Sequence, residues 1–270
     1  MLIEAEVVQH EVMGDQDQKL RRLVLKGPIA REARPGQFVH IQVSSTYDPL
    51  LRRPFSIAQI NAEQEEITVM YRVQGRGTEL LAQASPGALL SVLGPLGNGF
   101  SLPDQGELWL VAGGIGVFPL YGLARAALES RIPARLFWGG ENEKFLESAG
   151  LASWRALGLP VHLTTLDGSV GKKGLVTELF HEHLKGSGMA PQIRVAACGP
   201  HAMMQAVTAA CLEAGLPVEV SLEERMGCAV GACLGCVATL RDEEGNWRRA
   251  KVCQEGPVFQ GEEVVWDASC

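Results

Sequence analysis

The sequence predicts a multi-domain chain with an N-terminal antiparallel β-barrel, a doubly wound α/β domain and a small C-terminal cysteine module. Three patterns predict these parts. Short apolar runs separated by Gly-Pro and Pro-Gly pairs occupy the first part, apolar strands and helices alternate in the second, and closely placed cysteines mark the third. We expect the domain boundaries at 1–101, 102–221 and 222–270.

The barrel is predicted from short strands that are separated by turns. A helical piece around 77–84 interrupts them. Several short strands of this kind are typical of an antiparallel barrel or sandwich. The predicted strands cover 3–8, 20–25, 38–43, 56–60, 67–72 and 89–93.

The second domain is predicted from the alternation of strands and helices along the chain. Such alternation implies a parallel sheet with helices on both faces, and ligands bind these sheets at the carboxyl ends of their strands. The predicted strands are 108–112, 134–138, 161–165, 194–197 and 218–222, and the main predicted helices are 119–130, 175–184 and 201–214.

Composition and charge exclude several classes of protein. The net charge is −7 and no basic block is present, so we expect no nucleic-acid partner. No apolar run is long enough for a membrane span, and the N-terminus does not have the pattern of a signal peptide. Seven cysteines without a secretion signal favour a reducing compartment, so we expect the chain in the cytoplasm. Cys211 is predicted to be a small core residue, and Cys270 a loose terminal thiol.

The cysteines of the third part have the spacing C-x4-C-x2-C, followed by a distant fourth cysteine. This is the spacing of plant-type [2Fe–2S] proteins. The interleaved glycines would let the backbone wrap closely and turn its N–H groups toward the cluster sulfurs. A structural zinc site is the alternative, but zinc knuckles and ribbons prefer two C-x2–4-C pairs. The predicted cluster ligands are Cys228, Cys233, Cys236 and Cys253. The module that carries them is too small for a large core, so we expect its metal to hold it together.

Two turns of the α/β domain place glycine between a buried strand and a helix. In the first turn, Gly113, Gly114 and Gly116 would let a phosphate-bearing ligand approach the backbone at a helix N-terminus. The third glycine of the full dinucleotide fingerprint is replaced by proline. In the second turn, Cys198 and Gly199 end a strand of the same sheet, so both turns are predicted to line a nucleotide crevice. Cys198 is either close to the nicotinamide or a buried thiol that ends its strand.

Three segments of the barrel carry the chemistry that a flavin dinucleotide needs. An arginine can pair with a diphosphate, an aromatic ring can cover a flavin, and a serine hydroxyl can donate to a ring carbonyl. A glycine-rich segment that opens a short helix can hold phosphate. The segments are Arg53, Pro54, Phe55 and Ser56; Met70, Tyr71 and Arg72; and Gly77 with Thr78.

These motifs together resemble those of one protein family. The segment 53–56 is similar to the Arg-x-Tyr-Ser flavin motif of the ferredoxin–NADP reductase superfamily, and the two glycine turns look like its nicotinamide-nucleotide motifs. The cysteine segment with its flanking residues 223–259 resembles one branch, the electron-transfer subunits of the class B dihydroorotate dehydrogenases. The similarity covers nearly the whole chain, and the cysteine tail is its most specific part.

The resemblance implies an electron-transfer subunit of an NAD-dependent oxidoreductase in pyrimidine (UMP) biosynthesis. It implies bound FAD, one [2Fe–2S] cluster, and NAD as the external two-electron partner. It also implies an FMN-containing dihydroorotate dehydrogenase catalytic subunit as partner, in a heterotetramer with two copies of each chain. In that family the segments matching 53–56, 70–72 and 77–78 contact FAD, and the four cysteines hold the cluster. Electrons from dihydroorotate would pass from FMN through the cluster to FAD and then to NAD+.

Two residues depart from the family pattern, and one segment bears on the choice of cofactor. Phe55 stands where Tyr is commoner, which removes a phenol hydrogen bond to the cofactor but leaves stacking. Phe118 stands where a small residue is common, beside the predicted nicotinamide pocket. Glu141 and Glu143 follow the second strand of the α/β domain without an arginine, and carboxylates suit a ribose 2′-OH and repel a 2′-phosphate. We therefore expect NAD instead of NADP.

Two other functions fit parts of the sequence. The first is the flavin and iron–sulfur subunit of another NAD(P)H-linked oxidoreductase, such as an NADH-dependent ferredoxin:NADP oxidoreductase or a sulfide- or hydrogen-linked complex. Four cysteine ligands favour the pyrimidine function, because some of those relatives use a non-Cys ligand. The second is a metal-stabilised scaffold without redox turnover, against which the intact flavin segments argue. No acid–base catalytic residue is predicted, since His181 and His183 lie two apart in a predicted helix and face different directions.

Overall fold

The N-terminal part of the chain is a closed antiparallel barrel with the strand order β1-β2-β5-β4-β3-β6. The computed structural model describes residues 1–186, 192–242 and 244–266, and Cys270 lies outside them. This closed barrel confirms the antiparallel β-barrel predicted for the N-terminal part. Its strands are β1 Leu2–Val12, β2 Leu20–Lys26, β3 Phe38–Ile41, β4 Arg53–Asn61, β5 Glu66–Arg72 and β6 Leu89–Leu96, with the short helices α1 Ile29–Glu32 and α2 Arg76–Leu81.

Alternation along the strands decides which side chains fill the barrel. On β3 and β4, Val39 lies opposite Phe55 and Ile41 lies opposite Arg53. Val39 and Ile41 have no exposed surface, and Ile57 on β4 is 1% exposed. Because side chains alternate between the two faces of a strand, the other face of β3 and β4 is free to pack on the second domain.

The second domain contains six parallel strands in the order β10-β9-β8-β7-β11-β12, with helices on both faces. This confirms the predicted doubly wound α/β fold, in which strand order reverses at a crevice. The strands are β7 Glu107–Gly113, β8 Ala134–Gly140, β9 Val161–Thr165, β10 Lys172–Lys173, β11 Ile193–Cys198 and β12 Val218–Ser221. The helices are α3 Val117–Glu129, α4 Glu143–Ser148, α5 Leu151–Ala156, α6 Val176–Gly186 and α7 His201–Glu213.

The cysteine module is built onto the edge of this sheet. After the cysteine loop comes an antiparallel hairpin of β13 Val237–Arg241 and β14 Trp247–Lys251, then α8 Val252–Glu255 and β15 Val258–Gln260. β15 pairs antiparallel with β12 and becomes the seventh strand of the sheet. The module is therefore continuous with the α/β domain through backbone hydrogen bonds.

The module also shares a hydrophobic core with the α/β domain. Leu240 of β13 and Ala250 of β14 have no exposed surface and belong to the same buried cluster as Trp109 of β7 and Val207 of α7. We expected a module too small for a large core and held together by its metal. That expectation was incomplete, because burial against the neighbouring domain also stabilises the module.

The barrel contacts both other parts of the molecule. Ala58 on the outer face of β4 is fully buried in the core that contains helix α3. Asn98, just after β6, donates from its side chain to the carbonyl of Glu255 in the module at 2.7 Å. Within the described ranges no helix is long and apolar enough to cross a membrane.

Candidate functional site

A crevice of about 860 Å³ lies at the carboxyl ends of the parallel strands. All three parts of the molecule line it. The α/β domain contributes the glycine turn after β7 and the ends of β8 and β9, the barrel contributes Arg72, and the module contributes Glu223, Thr239 and Val265. This is the position where open α/β sheets bind their ligands.

The glycines of the two turns serve different purposes. A side chain at Gly113 would lie 2.6 Å from Pro200 Cδ, and one at Gly116 would overlap the carbonyl oxygen of Cys198, so these glycines let the turns pack together. Gly199 has φ +155° and faces the backbone of Gly113. Gly114, with φ +57°, has open space where a side chain would point. The backbone is therefore bare at the crevice, as a dinucleotide diphosphate requires.

Two residues predicted near the nicotinamide do not reach the crevice with their side chains. The thiol of Cys198 is 2% exposed, and burial raises its pKa above the ordinary range for cysteine. Phe118 is 3% exposed and packs in the core around α3. Cys198 therefore matches the alternative of a buried thiol at a strand end, and Phe118 does not shape the pocket directly.

Arg72 joins the barrel to the α/β domain at the crevice. Its Nη2 lies 3.7 Å from Glu141 Oε1, and its guanidinium carbon lies 5.2 Å from the centre of the Phe145 ring. Its Nε is buried without a hydrogen-bond partner among the described residues. The Glu141 side chain is 60% exposed, so this pair adds little stability and both groups can turn to a ligand.

Two of the predicted flavin segments come together at the start of α2. The Arg53 guanidinium lies over Gly77, where a side chain would approach its Nε to 2.6 Å. The Thr78 hydroxyl donates to the carbonyl of Gly75 at 2.9 Å and accepts from the amide of Gln74 at 2.8 Å. A cation, a bare backbone and a fixed hydroxyl therefore lie side by side, which fits a diphosphate.

The aromatic residues of the flavin segments face the inside of the barrel. Phe55 is 7% exposed and Tyr71 is 4% exposed, and their ring centroids lie 5.2 Å apart. The Tyr71 hydroxyl lies 2.9 Å from His10 Nε2. Pro54, Ser56 and Met70 occupy the outer faces of β4 and β5 and are half-buried. The outer face and the backbone, instead of the two rings, are therefore what these strands present to a ligand.

The four predicted cluster ligands are distributed around one short loop and the start of α8. Cys228 and Cys233 are half-buried, whereas Cys236 and Cys253 are 1% and 2% exposed. The loop needs unusual backbone conformations, with φ +58° at Ala229 and +77° at Gly231. The backbone thus wraps around the thiols, as the sequence predicts.

The thiols approach each other in two pairs. Cys228 contacts Cys233, and Cys253 contacts Cys236. The Cys233 amide donates to Cys228 Sγ at 3.3 Å, and the amides of Val230 and Cys233 lower the pKa of the Cys228 thiol to about 6. In the described part of the chain no three His, Cys, Asp or Glu side chains converge around a single ion position. Two thiol pairs fit a cluster of two irons with two cysteine ligands on each iron.

Sequence reasoning missed the buried His40 on β3. It is 1% exposed, neither ring nitrogen has a hydrogen-bond partner among the described residues, and burial lowers its pKa to about 4. It lies opposite Pro54 of the flavin segment. The alternation of β3 could have identified the face but not the burial, since the covering elements come from distant parts of the chain.

Comparison with protein families gives two matches. A family described as "Iron-sulfur cluster binding domain of dihydroorotate dehydrogenase B" matches residues 223–265. A family described as "Oxidoreductase NAD-binding domain" matches residues 110–209. The matches fall on the cysteine module and on the domain with the glycine turns.

Several curated relatives match nearly the whole chain, and each is named "Dihydroorotate dehydrogenase B (NAD(+)), electron transfer subunit". The relative from Desulforamulus reducens is 40% identical over 240 residues, or 88% of this chain and 89% of its own. The relative from Geobacillus kaustophilus is 42% identical over 249 residues, with 90% and 91% coverage. The relative from Shouchella clausii is 40% identical over 265 residues, with 96% coverage of both chains.

Solved structures show the same architecture. A structure of an NADH-dependent reduced ferredoxin–NADP oxidoreductase, described for flavin-based electron bifurcation, superposes with a TM-score of 0.83 at 29% identity. The match covers 98% of this chain and 91% of that chain. A ferredoxin NADP+ reductase from Neisseria gonorrhoeae matches with a TM-score of 0.63 at 15% identity, covering 79% of this chain and 92% of its own. The second likeness shows the fold alone.

Proposed function

The chain belongs to the family of dihydroorotate dehydrogenase B (NAD(+)) electron transfer subunits, and on that basis we propose that it carries electrons from a dihydroorotate-oxidising catalytic subunit to NAD+. One observation of the structure gives this proposal its strongest support. The barrel, the glycine turns and the cysteine module all line one crevice, so groups held by the three parts would lie close together. This arrangement suits a relay between cofactors.

The cysteine module would hold the [2Fe–2S] cluster through its two thiol pairs. When bound, the cluster supplies single-electron transfer, and FAD couples single electrons to hydride exchange with NAD. Cys228 and Cys233 would bind one iron, and Cys236 and Cys253 the other. Backbone amides already point at Cys228, so the loop stabilises the thiolate form that binds metal.

The glycine turns would hold the dinucleotide. The open backbone at Gly114 lets a diphosphate approach the start of α3, and Gly199 keeps the second turn close beside it. Glu141 lines the same crevice and can accept a hydrogen bond from a ribose hydroxyl. These features support NAD as the nucleotide substrate.

The barrel would hold FAD along the edge of β4, β5 and α2. Arg53 over Gly77 would pair with the diphosphate, and Thr78 fixes the turn that presents it. Arg72 has an unpartnered Nε at the crevice and would donate there to a polar atom of the flavin. Ser56, half-buried on the outer face of β4, would donate its hydroxyl in the same region.

We propose that the partner is an FMN-containing dihydroorotate dehydrogenase chain and that the complex holds two copies of each chain. The relatives' name as an electron transfer subunit supports a separate catalytic subunit. We also propose that the complex works in the cytoplasm, in UMP biosynthesis. Reduced cysteines in a cluster loop suit a reducing compartment.

The direct test is an assay of the two chains together. The full chain and its FMN-containing partner are expressed together, purified as a complex and supplied with dihydroorotate and NAD+. We expect NADH to form only when both chains are present, and the purified complex to absorb as flavin plus iron–sulfur cluster. If the catalytic chain alone reduces NAD+ at the full rate, the proposed function is wrong.

The likeness to the reduced ferredoxin–NADP oxidoreductase structure supports a second candidate function, in which the chain serves ferredoxin and NADP. The two candidates differ in their electron partner. Supplying reduced ferredoxin and NADP+ to the purified chain distinguishes them. Fast NADPH formation without dihydroorotate would favour the second candidate.

A further inference from the structure

Lys251, at the C-terminal end of β14, reaches the cysteine loop with its side chain. Its Nζ donates to the carbonyl of Gly231 at 2.6 Å, across 20 positions of the chain. Gly231 lies in the middle of the segment that carries Cys228, Cys233 and Cys236. The contact therefore brings a positive charge to the loop that supplies three of the four cluster ligands.

The carbonyl that Lys251 holds belongs to a peptide unit whose other end points at a cluster ligand. The carbonyl of Gly231 and the amide of Ala232 form one planar trans unit, so they point in opposite directions. On the side away from Lys251, the Ala232 amide points at Cys228 Sγ. A positive charge on the carbonyl polarises the unit and strengthens the amide as a donor. One peptide unit therefore connects the Lys251 ammonium to a cluster sulfur.

Gly231 allows this peptide unit to turn, so the direction of the unit depends on what holds it. The residue has φ +77°, in the left-handed region that glycine enters without steric cost. Its own amide points at Cys253 Sγ. Each of the two peptide units that flank Gly231 therefore points an amide at a cluster ligand. The Lys251 hydrogen bond fixes the second unit, which ends at Ala232.

The charge of Lys251 remains available to the loop. Glu255 is the carboxylate that faces it, but Oε1 accepts from the Lys251 backbone amide at 2.9 Å and Oε2 pairs with Arg248 Nη1 at 2.6 Å. Among the ion pairs of the described residues, none includes the Lys251 ammonium. The Lys251 side chain is half-buried, so solvent and salt screen its charge less than that of an exposed residue. A fixed positive charge favours the reduced, more negative state of a nearby redox centre.

We propose that Lys251 is a positioning residue for electron transfer, which holds the Gly231–Ala232 peptide against Cys228 and raises the reduction potential of the [2Fe–2S] cluster. Net charge and hydrogen bonds to the sulfurs are two of the factors that set such potentials. The inference rests on the proposed function, because it presumes that the four cysteines hold the cluster and that the cluster passes electrons on. Each transfer adds one electron from the reduced flavin of the catalytic subunit and makes or breaks no bond. A higher potential favours that step.

The test measures the potential of the cluster in the full chain. The chain with its cluster is titrated with dithionite and redox mediators without oxygen, and the paramagnetic resonance signal of the reduced cluster gives the midpoint potential. For Lys251→Met we expect the equilibrium constant for reduction to fall about tenfold, which lowers the potential by about 59 mV for one electron. Lys251→Arg keeps the charge and a hydrogen-bond donor and should keep the wild-type potential.

Arg241→Met is the matched control for the loss of a positive charge. Arg241 is exposed at the far end of the hairpin, four positions along β13 from Val237, which lies opposite Lys251. Four strand positions span about 13 Å, which is more than the screening length of about 10 Å at about 0.1 M salt. This variant should therefore keep the wild-type potential.

The possible outcomes distinguish failure of the inference from failure of the proposed function. If Lys251→Met keeps its cluster at the wild-type potential, or shifts the potential no more than Arg241→Met does, the inference is overturned. If Lys251→Met loses its cluster, Lys251→Gln, which keeps a hydrogen-bond donor without the charge, replaces it and should show the lower potential. Loss of the cluster from both neutral variants would also overturn the inference, since Lys251 would then assemble the cluster instead of setting its potential. If the wild-type chain supplied with iron and sulfide shows no cluster signal after reduction, the proposed function fails together with the inference.

Discussion

His40 is a residue whose burial has a measurable consequence. Its ring is almost fully buried on β3, both ring nitrogens are unpartnered among the described residues, and its pKa is lowered to about 4. The charged groups near it are the guanidinium groups of Arg52 and Arg53, which also disfavour its protonation. The folded chain therefore keeps His40 neutral at pH values where the unfolded chain protonates it.

This predicts a loss of stability in acid that His40→Leu removes. Because the folded pKa lies below the unfolded value, the contribution of His40 is present above about pH 6.5 and is lost as the pH falls toward 4. Between about pH 7.5 and about pH 5, we expect the wild type to lose about 2 kcal/mol more unfolding free energy than His40→Leu. Urea unfolding at both pH values measures the difference, with His181→Leu as the control. The same acid loss in wild type and His40→Leu would contradict the prediction.

The cysteines and Phe55 show what a sequence motif can predict about a residue and what it cannot. The spacing of the cysteines was enough to predict thiols around one loop, because a covalent spacing limits where a short chain can place them. The motif at 53–56 predicts a flavin-binding strand but not the direction of Phe55, which faces the barrel interior. Side-chain direction depends on strand pairing and local twist, and the motif does not contain that information.

The sequence does not predict the hairpin of β13 and β14 or its packing on the α/β domain. Its apolar face packs on the α/β domain, and its neighbour β15 extends the central sheet. Short strands such as β15 Val258–Gln260 carry too few residues for a periodic signal. The longer strands β1 and β7 were predicted because they contain several alternating or continuous apolar residues.

Two leucines of the cysteine module test whether packing stabilises it. Leu240 has no exposed surface, whereas Leu234 in the cysteine loop is 78% exposed. We expect Leu240→Ala to lower the unfolding free energy by about 2–5 kcal/mol, because it leaves a cavity in the shared core. Leu234→Ala is the matched control and should change it by less than about 0.5 kcal/mol. Urea denaturation of the cluster-free chain measures both.

The measurement on the cluster-free chain shows whether apolar packing or metal binding keeps the module folded. If Leu240→Ala has no larger effect than Leu234→Ala once iron is removed, the module unfolds with its cluster. In that case metal binding alone holds it, as the sequence suggested. A large difference between the two variants supports a module that stays folded on the edge of the sheet.

At the scale of the whole molecule, the order of domains explains the position of the site. The barrel and the α/β domain meet through β4 and α3. The module is attached by the pairing of β15 with β12, and its Glu223, Thr239 and Val265 line the crevice. The alternation of strands and helices predicts the first two parts and their order. It does not predict how the module docks, because that depends on apolar packing between distant parts of the chain. Trp109 and Leu240, for example, belong to one buried cluster although they lie more than a hundred positions apart.

The most direct test of the relay is to add NADH to the purified chain alone, without oxygen, and follow absorbance and paramagnetic resonance together. We expect flavin absorbance to bleach and a signal of reduced iron–sulfur cluster to develop. In the Cys253→Ala variant the flavin absorbance should bleach without the cluster signal. In the Cys211→Ala variant, which changes a buried thiol in α7, both the bleaching and the cluster signal should appear. Bleaching in the wild type without any cluster signal would contradict electron transfer between the crevice and the cysteine module.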